Sequence, residues 1–327
     1  MRIVFHGENA AAFSEGFAAL VDADAVVDIL PNALRGAAER EAFASADVII
    51  GTHFDASLPR PERLLLYQVP GAGYDAVDLA VLPGGAVVCN CFGHEQAIAE
   101  YVMAALLQRY VPLADADRRL RQGEWAYWAG APERAHKEMA GSTLGILGFG
   151  HIGKAVAVRA RAFGMLVHVA NRSPVAGSEV VDRAFSLSEL PAFWGGLDSI
   201  VVTLPLTPET RGIVGPEAFA RMRNDTVLIN VARGPVVDEV ALYDALKNRR
   251  IGGAVIDTWY RYPTPGQSHC APSDLPFHEL TNVVMTPHMS GWTTGTISRR
   301  QLAMAENIRR LGRGEACLDV VRSATAR

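Results

Sequence analysis

Short apolar, strand-like runs alternate with helical patterns along almost the whole chain, which is the signature of repeated β-α-β units and a parallel sheet. In the first third the strand-like runs cover 3–5, 25–29, 48–50, 64–69 and 86–89. Alanine-rich helix formers fill 10–21 and 37–46 between the early ones. Ile98, Tyr101, Val102, Ala105 and Leu106 then recur at helical spacing, predicting a long amphipathic helix that Pro112 bends or ends. The stretch 123–130, with Trp125, Tyr127 and Trp128, reads as an aromatic loop serving either core packing or an oligomer contact. The alternation restarts at Thr143 with a strand over 144–147. A helix over 152–163 follows, with Ile152, Val156, Ala160 and Phe163 on one apolar stripe. Strands are predicted over 166–170, 199–203, 226–230, 253–256 and 283–286, and a closing helix over 293–311.

At roughly 150 residues per domain, 327 residues suggest two domains. The expected architecture is two doubly wound α/β domains. A Rossmann-type nucleotide domain over 98–290 is inserted into a flavodoxin-like substrate domain made of 1–97 and 291–327, with the cleft between them as the expected site. A hydrophobic fraction of 49% with 20% charged residues suits a globular chain with large cores. A net charge of −4, with both signs interspersed, makes no electrostatic case for nucleic acid or an anionic membrane surface. No apolar run approaches the ~18 residues of a membrane span. Four scattered cysteines (Cys89, Cys91, Cys270, Cys317) are too few for a disulfide framework or a zinc site and read as buried thiols in a reducing compartment. Residues 1–7 begin a strand with no signal-peptide core, so the expected location is cytoplasmic and no metal is expected.

The first chemical signal is Gly148-Phe149-Gly150-His151-Ile152-Gly153. A lone GxGxxG is weak, but this one follows a strand and opens a helix, as a dinucleotide fingerprint requires. Gly148 allows the tight turn, Gly150 lets a pyrophosphate approach the backbone, and Gly153 lets helix and strand pack closely. The helix N-terminus then offers N–H groups and the positive dipole end to phosphate. At the end of the next strand, where an NAD site presents a carboxylate to the ribose, the chain reads Asn171-Arg172-Ser173. Without the carboxylate, and with Arg172 and Ser173 available to a 2′-phosphate, the expected cofactor is NADP in preference to NAD.

Three later residues sit where an open α/β sheet places its chemistry, at the carboxyl ends of strands: Arg233, Asp257 and His288. Taken singly, each has a structural explanation in an ion pair, a helix cap or a packed turn. In this order behind a dinucleotide turn, the chain resembles the D-2-hydroxyacid dehydrogenase family, which includes phosphoglycerate dehydrogenases, glyoxylate/hydroxypyruvate reductases and formate dehydrogenases. The resemblance rests on Gly71-Ala72-Gly73-Tyr74-Asp75, the glycine turn, Leu204-Pro205-Leu206-Thr207, Asn230-Val231-Ala232-Arg233-Gly234 and Thr286-Pro287-His288, and it covers nearly the whole chain.

The resemblance implies reduction of a small 2-ketoacid to the D-2-hydroxyacid, and the reverse, by a homodimer. In that scheme Arg233 pairs with the substrate carboxylate, and the backbone at Ala72, Gly73 and Tyr74 holds it from the other domain. His288 is the general acid. Asp257 and the Val231 carbonyl orient the nicotinamide, while Leu204, Pro205, Ala232 and Gly291 line the cofactor's path.

One position departs from the family. Five residues after Asp257, where the family usually has the glutamate that pairs with the histidine, stands Tyr262. A neutral phenol does not support an imidazolium as a carboxylate does. The departure is met by an ordinary reductase whose His288 has a lower pKa, by another carboxylate (Glu279, Asp274 or Glu95), or by unusual chemistry. The first is preferred because His288 itself is retained, and it has reduction failing at lower pH than in relatives with the glutamate. Trp292 either narrows the pocket or packs on the closing helix. The irregular segment 263–278, with Gly266, Pro272 and Pro276, is expected to control substrate entry. A formate- or phosphite-type dehydrogenase and a dinucleotide-sensing regulator are the competing readings.

Overall fold

The structure is a computed structural model describing residues 1–130, 132–264, 267 and 269–324. Among these residues, thirteen strands form two sheets. They are β1 Arg2–His6, β2 Val26–Leu30, β3 Val48–Gly51, β4 Leu66–Gln68, β5 Val87–Cys89, β6 Thr143–Leu147, β7 Leu166–Asn171, β8 Arg183–Ser186, β9 Ser199–Val202, β10 Val227–Asn230, β11 Gly253–Ile256, β12 Val283–Met285 and β13 Val320–Arg322. The chain divides into two compact units, Met1–Gly93 with Thr293–Arg327, and His94–Trp292. The continuous unit thus begins before residue 98 and ends after residue 290.

In the discontinuous unit the sheet order is β13-β5-β4-β3-β1-β2. Five strands are parallel in flavodoxin order, and β13 pairs antiparallel with β5, so this sheet is not parallel throughout. Val4, Ile49, Tyr67 and Val88 face one core, whereas Ile3, Phe5, Val48, Ile50 and Leu66 face the other. Burial on both faces explains why these strands read as unbroken apolar runs. Phe5, Phe13 and Phe17 are fully buried, each contributing about 1.5–3 kcal/mol of transfer free energy.

The helix expected over 10–21 is instead a short helix, Glu8–Ala11, and a 3₁₀ turn, Phe17–Leu20. The helix stops at Ala11, and Gly16, at φ +70°, is the N-cap position of the 3₁₀ turn; Phe13 and Phe17 on either side of it are buried. The closing helix runs Thr294–Gly312, with the Thr293 hydroxyl accepting from the Thr296 N–H as its N-cap. Cys89 and Cys91 are buried, but Cys270 and Cys317 are only half-buried, which corrects the expectation of four buried thiols; all four are free.

The continuous unit carries a seven-stranded parallel sheet in the order β12-β11-β10-β9-β6-β7-β8, the Rossmann order with one added strand. Its alternation is strict: Leu147, Ile200, Val202, Leu228 and Ile256 fill one core, and Ile146, Val201, Ile229 and Val255 the other. The helix Glu95–Tyr110 ends before Pro112, and a separate helix, Leu113–Leu120, follows with no buried residue. Helix His151–Ala162 buries Val156 and Ala160, but Phe163 lies past its end and is 44% exposed, so it is not part of the stripe. The aromatic loop is not core of this unit: Trp125 and Trp128 are mostly exposed. Among the described residues no helix is long and apolar enough to cross a membrane.

Candidate functional site

The carboxyl ends of β6, β7, β9, β10, β11 and β12 bring most of the predicted site residues to one end of the continuous unit's sheet. Gly148, at the end of β6, has φ +99°, a conformation open to glycine. A Cβ on Gly153 would stand 2.3 Å from the Gly148 carbonyl oxygen, so this contact admits no side chain. A Cβ on Gly150 would meet nothing within 4 Å. That open surface lies over the N-terminus of the twelve-residue helix His151–Ala162, which no side chain caps and whose first turn holds no acidic residue. Phe149 and Ile152 are half-buried against the core, and His151 points to the exposed side. The turn therefore fits a pyrophosphate.

Two side chains hold the turn in place: Thr203, not singled out from the sequence, and Asn171, expected at the cofactor but not as a partner of the turn. Thr203, just after β9, donates to the Gly148 carbonyl at 2.8 Å. Asn171, the last residue of β7, accepts from the Phe149 N–H at 3.1 Å, and its amide donates to the Ser173 carbonyl at 3.0 Å. Asn171 thus serves the glycine turn directly, while Arg172 and Ser173 are exposed beyond it. Leu204, Val231 and Ala232 are buried, and the Pro205 carbonyl accepts from Thr210 at 2.6 Å. Gly153→Ala is expected to lower Tm and weaken dinucleotide binding by roughly 5- to 100-fold, the equivalent of about 1–3 kcal/mol of strain at a forbidden contact. Isothermal titration checks this; wild-type affinity would refute it.

Arg233 follows β10 and is half-buried. Asn230 shapes its turn, accepting from the Ala232 N–H at 3.1 Å and donating to the Arg233 carbonyl at 3.2 Å. Gly234 nests against the next segment so closely that a Cβ would sit 2.3 Å from the Trp259 carbonyl oxygen.

His288 sits in the left-handed region, φ +58°, a conformation that costs a non-glycine residue energy unless its surroundings impose it. Asp257 imposes it. This carboxylate is fully buried and accepts from the Met289 N–H at 2.8 Å, the Ser290 N–H at 2.9 Å and the Thr286 hydroxyl at 2.6 Å. Because the Thr286 proton goes to the carboxylate, the Tyr101 hydroxyl, 2.7 Å away, is the donor to Thr286. Trp259 Nε1 donates to the Thr286 carbonyl at 2.8 Å. Asp257 is therefore an anchor of the histidine turn, a role the sequence did not show.

The imidazole meets the phenol of Tyr262, with Nδ1 3.0 Å from the hydroxyl oxygen. That oxygen also accepts the Trp259 N–H at 3.0 Å. The ring reaches solvent, yet the atoms packed behind it cost its charged form hydration and lower its pKa. The Arg233 charge pushes the same way, and Asp257 opposes it. None of Glu95, Asp274 or Glu279 takes the place of the absent glutamate: Asp274 pairs with Arg261, and among the described residues Asp257 is the carboxylate that acts on His288. Gly291 lies against His94 and Ile98, and Trp292 is 45% exposed. The segment after Pro263 is pinned at Ser273, whose hydroxyl donates to Glu239, and at buried Phe277; Gly266 lies outside the described residues.

Ala72, Gly73 and Tyr74 belong to the other unit, on the loop after β4. Asn90 donates to the Ala72 carbonyl at 2.8 Å, and the Cys91 N–H donates to the Gly71 carbonyl at 3.1 Å.

Residues 103–290 match the family described as D-isomer specific 2-hydroxyacid dehydrogenase, NAD binding domain. The chain belongs to this family. Within it, the chain is 32% identical over 302 residues to a glyoxylate reductase from Korarchaeum cryptofilum, covering 90% of this chain and 81% of that one. It is also 32% identical over 291 residues to a D-3-phosphoglycerate dehydrogenase from Methanocaldococcus jannaschii, covering 86% of this chain and 52% of that one. The chain spans about half the length of the phosphoglycerate dehydrogenases it matches. A solved D-isomer specific 2-hydroxyacid dehydrogenase from Xanthobacter autotrophicus Py2, in complex with NADPH and MES, superposes with a TM-score of 0.79 at 28% identity, covering 98% of this chain and 97% of that one.

Proposed function

We propose that the protein catalyses the reversible NAD(P)-dependent reduction of a small 2-ketoacid to the D-2-hydroxyacid. The observation that carries this reading is the grouping of Arg233 with the Tyr262–His288 pair on the dinucleotide-binding unit, close enough for the guanidinium charge to act on both rings. Arg233 binds the substrate carboxylate and polarises the neighbouring carbonyl. His288 hands a proton to the carbonyl oxygen during reduction and takes it back in oxidation. Asp257 holds the histidine turn. The dinucleotide would be held by the Gly148–Gly153 turn, Asn171, Arg172, Ser173, Leu204, Pro205, Val231 and Ala232, and it supplies the hydride when bound.

Initial rates with a panel of 2-ketoacids, from glyoxylate and hydroxypyruvate to longer chains, test the proposal by following loss of the reduced cofactor. Turnover of none of them would overturn it. The panel also separates this reading from formate-type oxidation and from cofactor sensing without catalysis.

NADPH is the preferred coenzyme in this proposal. Asn171 leaves no carboxylate to repel a 2′-phosphate, Arg172 and Ser173 are exposed beside it, and the Xanthobacter relative was solved with NADPH. Arg172→Ala is expected to lower kcat/KM for NADPH about tenfold, as loss of one solvent-exposed charge-assisted contact does, with little change for NADH. A higher wild-type kcat/KM with NADH would reverse the assignment. Exposed Trp125, Trp128 and Leu113, on a segment whose helix buries nothing, support a homodimer through this face, checked by sedimentation of Trp125→Ser. Four free thiols support residence in a reducing compartment, the cytoplasm.

A further inference from the structure

The Tyr262 oxygen has two polar neighbours among the described residues, the Trp259 backbone N–H and His288 Nδ1, each at 3.0 Å. A backbone N–H can only donate, so the phenol oxygen accepts there and keeps its own proton available for Nδ1, the direction of that bond being set by the imidazole tautomer. A nitrogen that accepts this proton carries none, and the single proton of the neutral imidazole then resides on Nε2. A carboxylate in the same place has no proton to give. It would accept from Nδ1–H and favour the imidazolium. A phenol, unlike a carboxylate, can therefore reverse the direction of the hydrogen bond behind the histidine.

The charges around the pair point the same way. Among the described residues, Tyr262, Arg233 and Asp257 are the titratable groups facing His288, from the segment after β11, the loop after β10 and the end of β11 respectively. Burial and Arg233 outweigh Asp257 and lower the ring's pKa, which favours the neutral imidazole. A neutral imidazole that simply gave up its Nε2 proton would be left as imidazolate, a very poor leaving state. The phenol removes that obstacle.

We propose that Tyr262 is the proton-relay residue of this site, passing its phenol proton to His288 Nδ1 as Nε2 gives its own to the substrate oxygen. The inference rests on the 2-ketoacid reductase reading. As hydride reaches the carbonyl carbon, the C=O π pair moves onto oxygen and that oxygen takes the Nε2 proton. Nδ1 takes the phenol proton, the Tyr262 O–H bond breaks, and the imidazole ends neutral in its other tautomer. Tyrosinate remains, held by the Trp259 N–H and faced by Arg233. Burial raises the phenol's pKa, while the Trp259 N–H and the Arg233 charge work to lower it and Asp257 adds to the rise. An alkoxide is far more basic than a phenolate, even one whose pKa burial has raised above the ordinary ~10, so the transfer runs downhill. Tyr262 is 44% exposed, so solvent returns the proton.

Two measurements test the relay. In protein labelled with ¹⁵N-histidine and without cofactor, long-range ¹⁵N–¹H correlation at a pH above the ring's titration reports the tautomer. The His288 signals are those missing from His288→Gln. Nε2–H in the wild type, with a smaller share of it in Tyr262→Phe, is the expected result; Nδ1–H in the wild type overturns the relay whatever the activity. In kinetics on an accepted ketoacid, the relay replaces the early alkaline loss expected of a lone histidine of low pKa: wild-type kcat holds as pH rises through the His288 titration. Tyr262→Phe loses about tenfold per pH unit above it, because only the imidazolium then has a proton to give. Tyr262→Glu moves that fall to higher pH than in Tyr262→Phe. Superimposable profiles for wild type and Tyr262→Phe also overturn the relay. Failure to reduce any ketoacid counts against the reductase reading instead, and the tautomer still decides the relay.

Discussion

Replacing His288 with glutamine is expected to lower kcat for ketoacid reduction by about 10²–10⁴-fold, the usual contribution of a positioned general acid. Glutamine can place an amide near the position of Nε2 but has no proton to release at neutral pH, so the developing alkoxide is left to solvent. Cofactor affinity should hardly move, because the side chain is set beyond the glycine turn, on the turn after β12. Stability should move little too. The residue is exposed, and its φ of +58° is imposed by the Asp257 bonds to Met289 and Ser290, which the substitution leaves intact. Steady-state rates with a fluorescence titration of the cofactor check the split. A loss of kcat smaller than about tenfold would remove His288 from the proton path.

Arg233→Ala is expected to lower kcat/KM by about 10²–10³-fold, as loss of one preorganised electrostatic contact to the reacting group does. A guanidinium presents a planar fork that matches a carboxylate with two parallel hydrogen bonds. Arg233→Lys should therefore recover only part of the loss. The Asn230 amide, which sets the turn through backbone bonds, is untouched by either change. Dinucleotide affinity should stay within about threefold, well under 1 kcal/mol. Full activity of the alanine variant on every accepted ketoacid would disprove the carboxylate clamp.

Much of this site was legible because its signals are local. The glycine turn is a six-residue pattern behind a strand and ahead of a helix, and Arg233 and His288 follow runs that read as strands. What escaped depends on side chains meeting across the sheet. Asn171 bonding Phe149, Thr203 bonding Gly148 and Asp257 clamping the turn of His288 join residues 22, 55 and 32 apart in the chain. No periodicity encodes such rotamers. The phenol behind His288 was visible as a departure, but the direction of its hydrogen bond was not, because that direction depends on the Trp259 backbone.

The fold shows the same division. β8 buries only Phe185 and β13 lies at a sheet edge, so neither carries the double-sided apolar run that marks a central strand. The helix Leu113–Leu120 buries nothing and had no stripe to read. The alanine-rich stretch 10–21, whose propensity alone favoured helix, is divided between a short helix and a 3₁₀ turn.

The interrupted unit has a consequence for biosynthesis. Met304, Ala305 and Ile308 complete the core built on Ile3 and Phe5, and β13 covers the edge of β5. During translation, those first strands leave the ribosome long before the segment that seals them. Their apolar faces must stay soluble while the whole of His94–Trp292 is synthesised, whereas that continuous unit has all its strands in hand as soon as β12 emerges. Arrest of translation as Trp292 clears the ribosomal exit tunnel should therefore yield a nascent chain in which protease spares the later-made unit and cuts the earlier one.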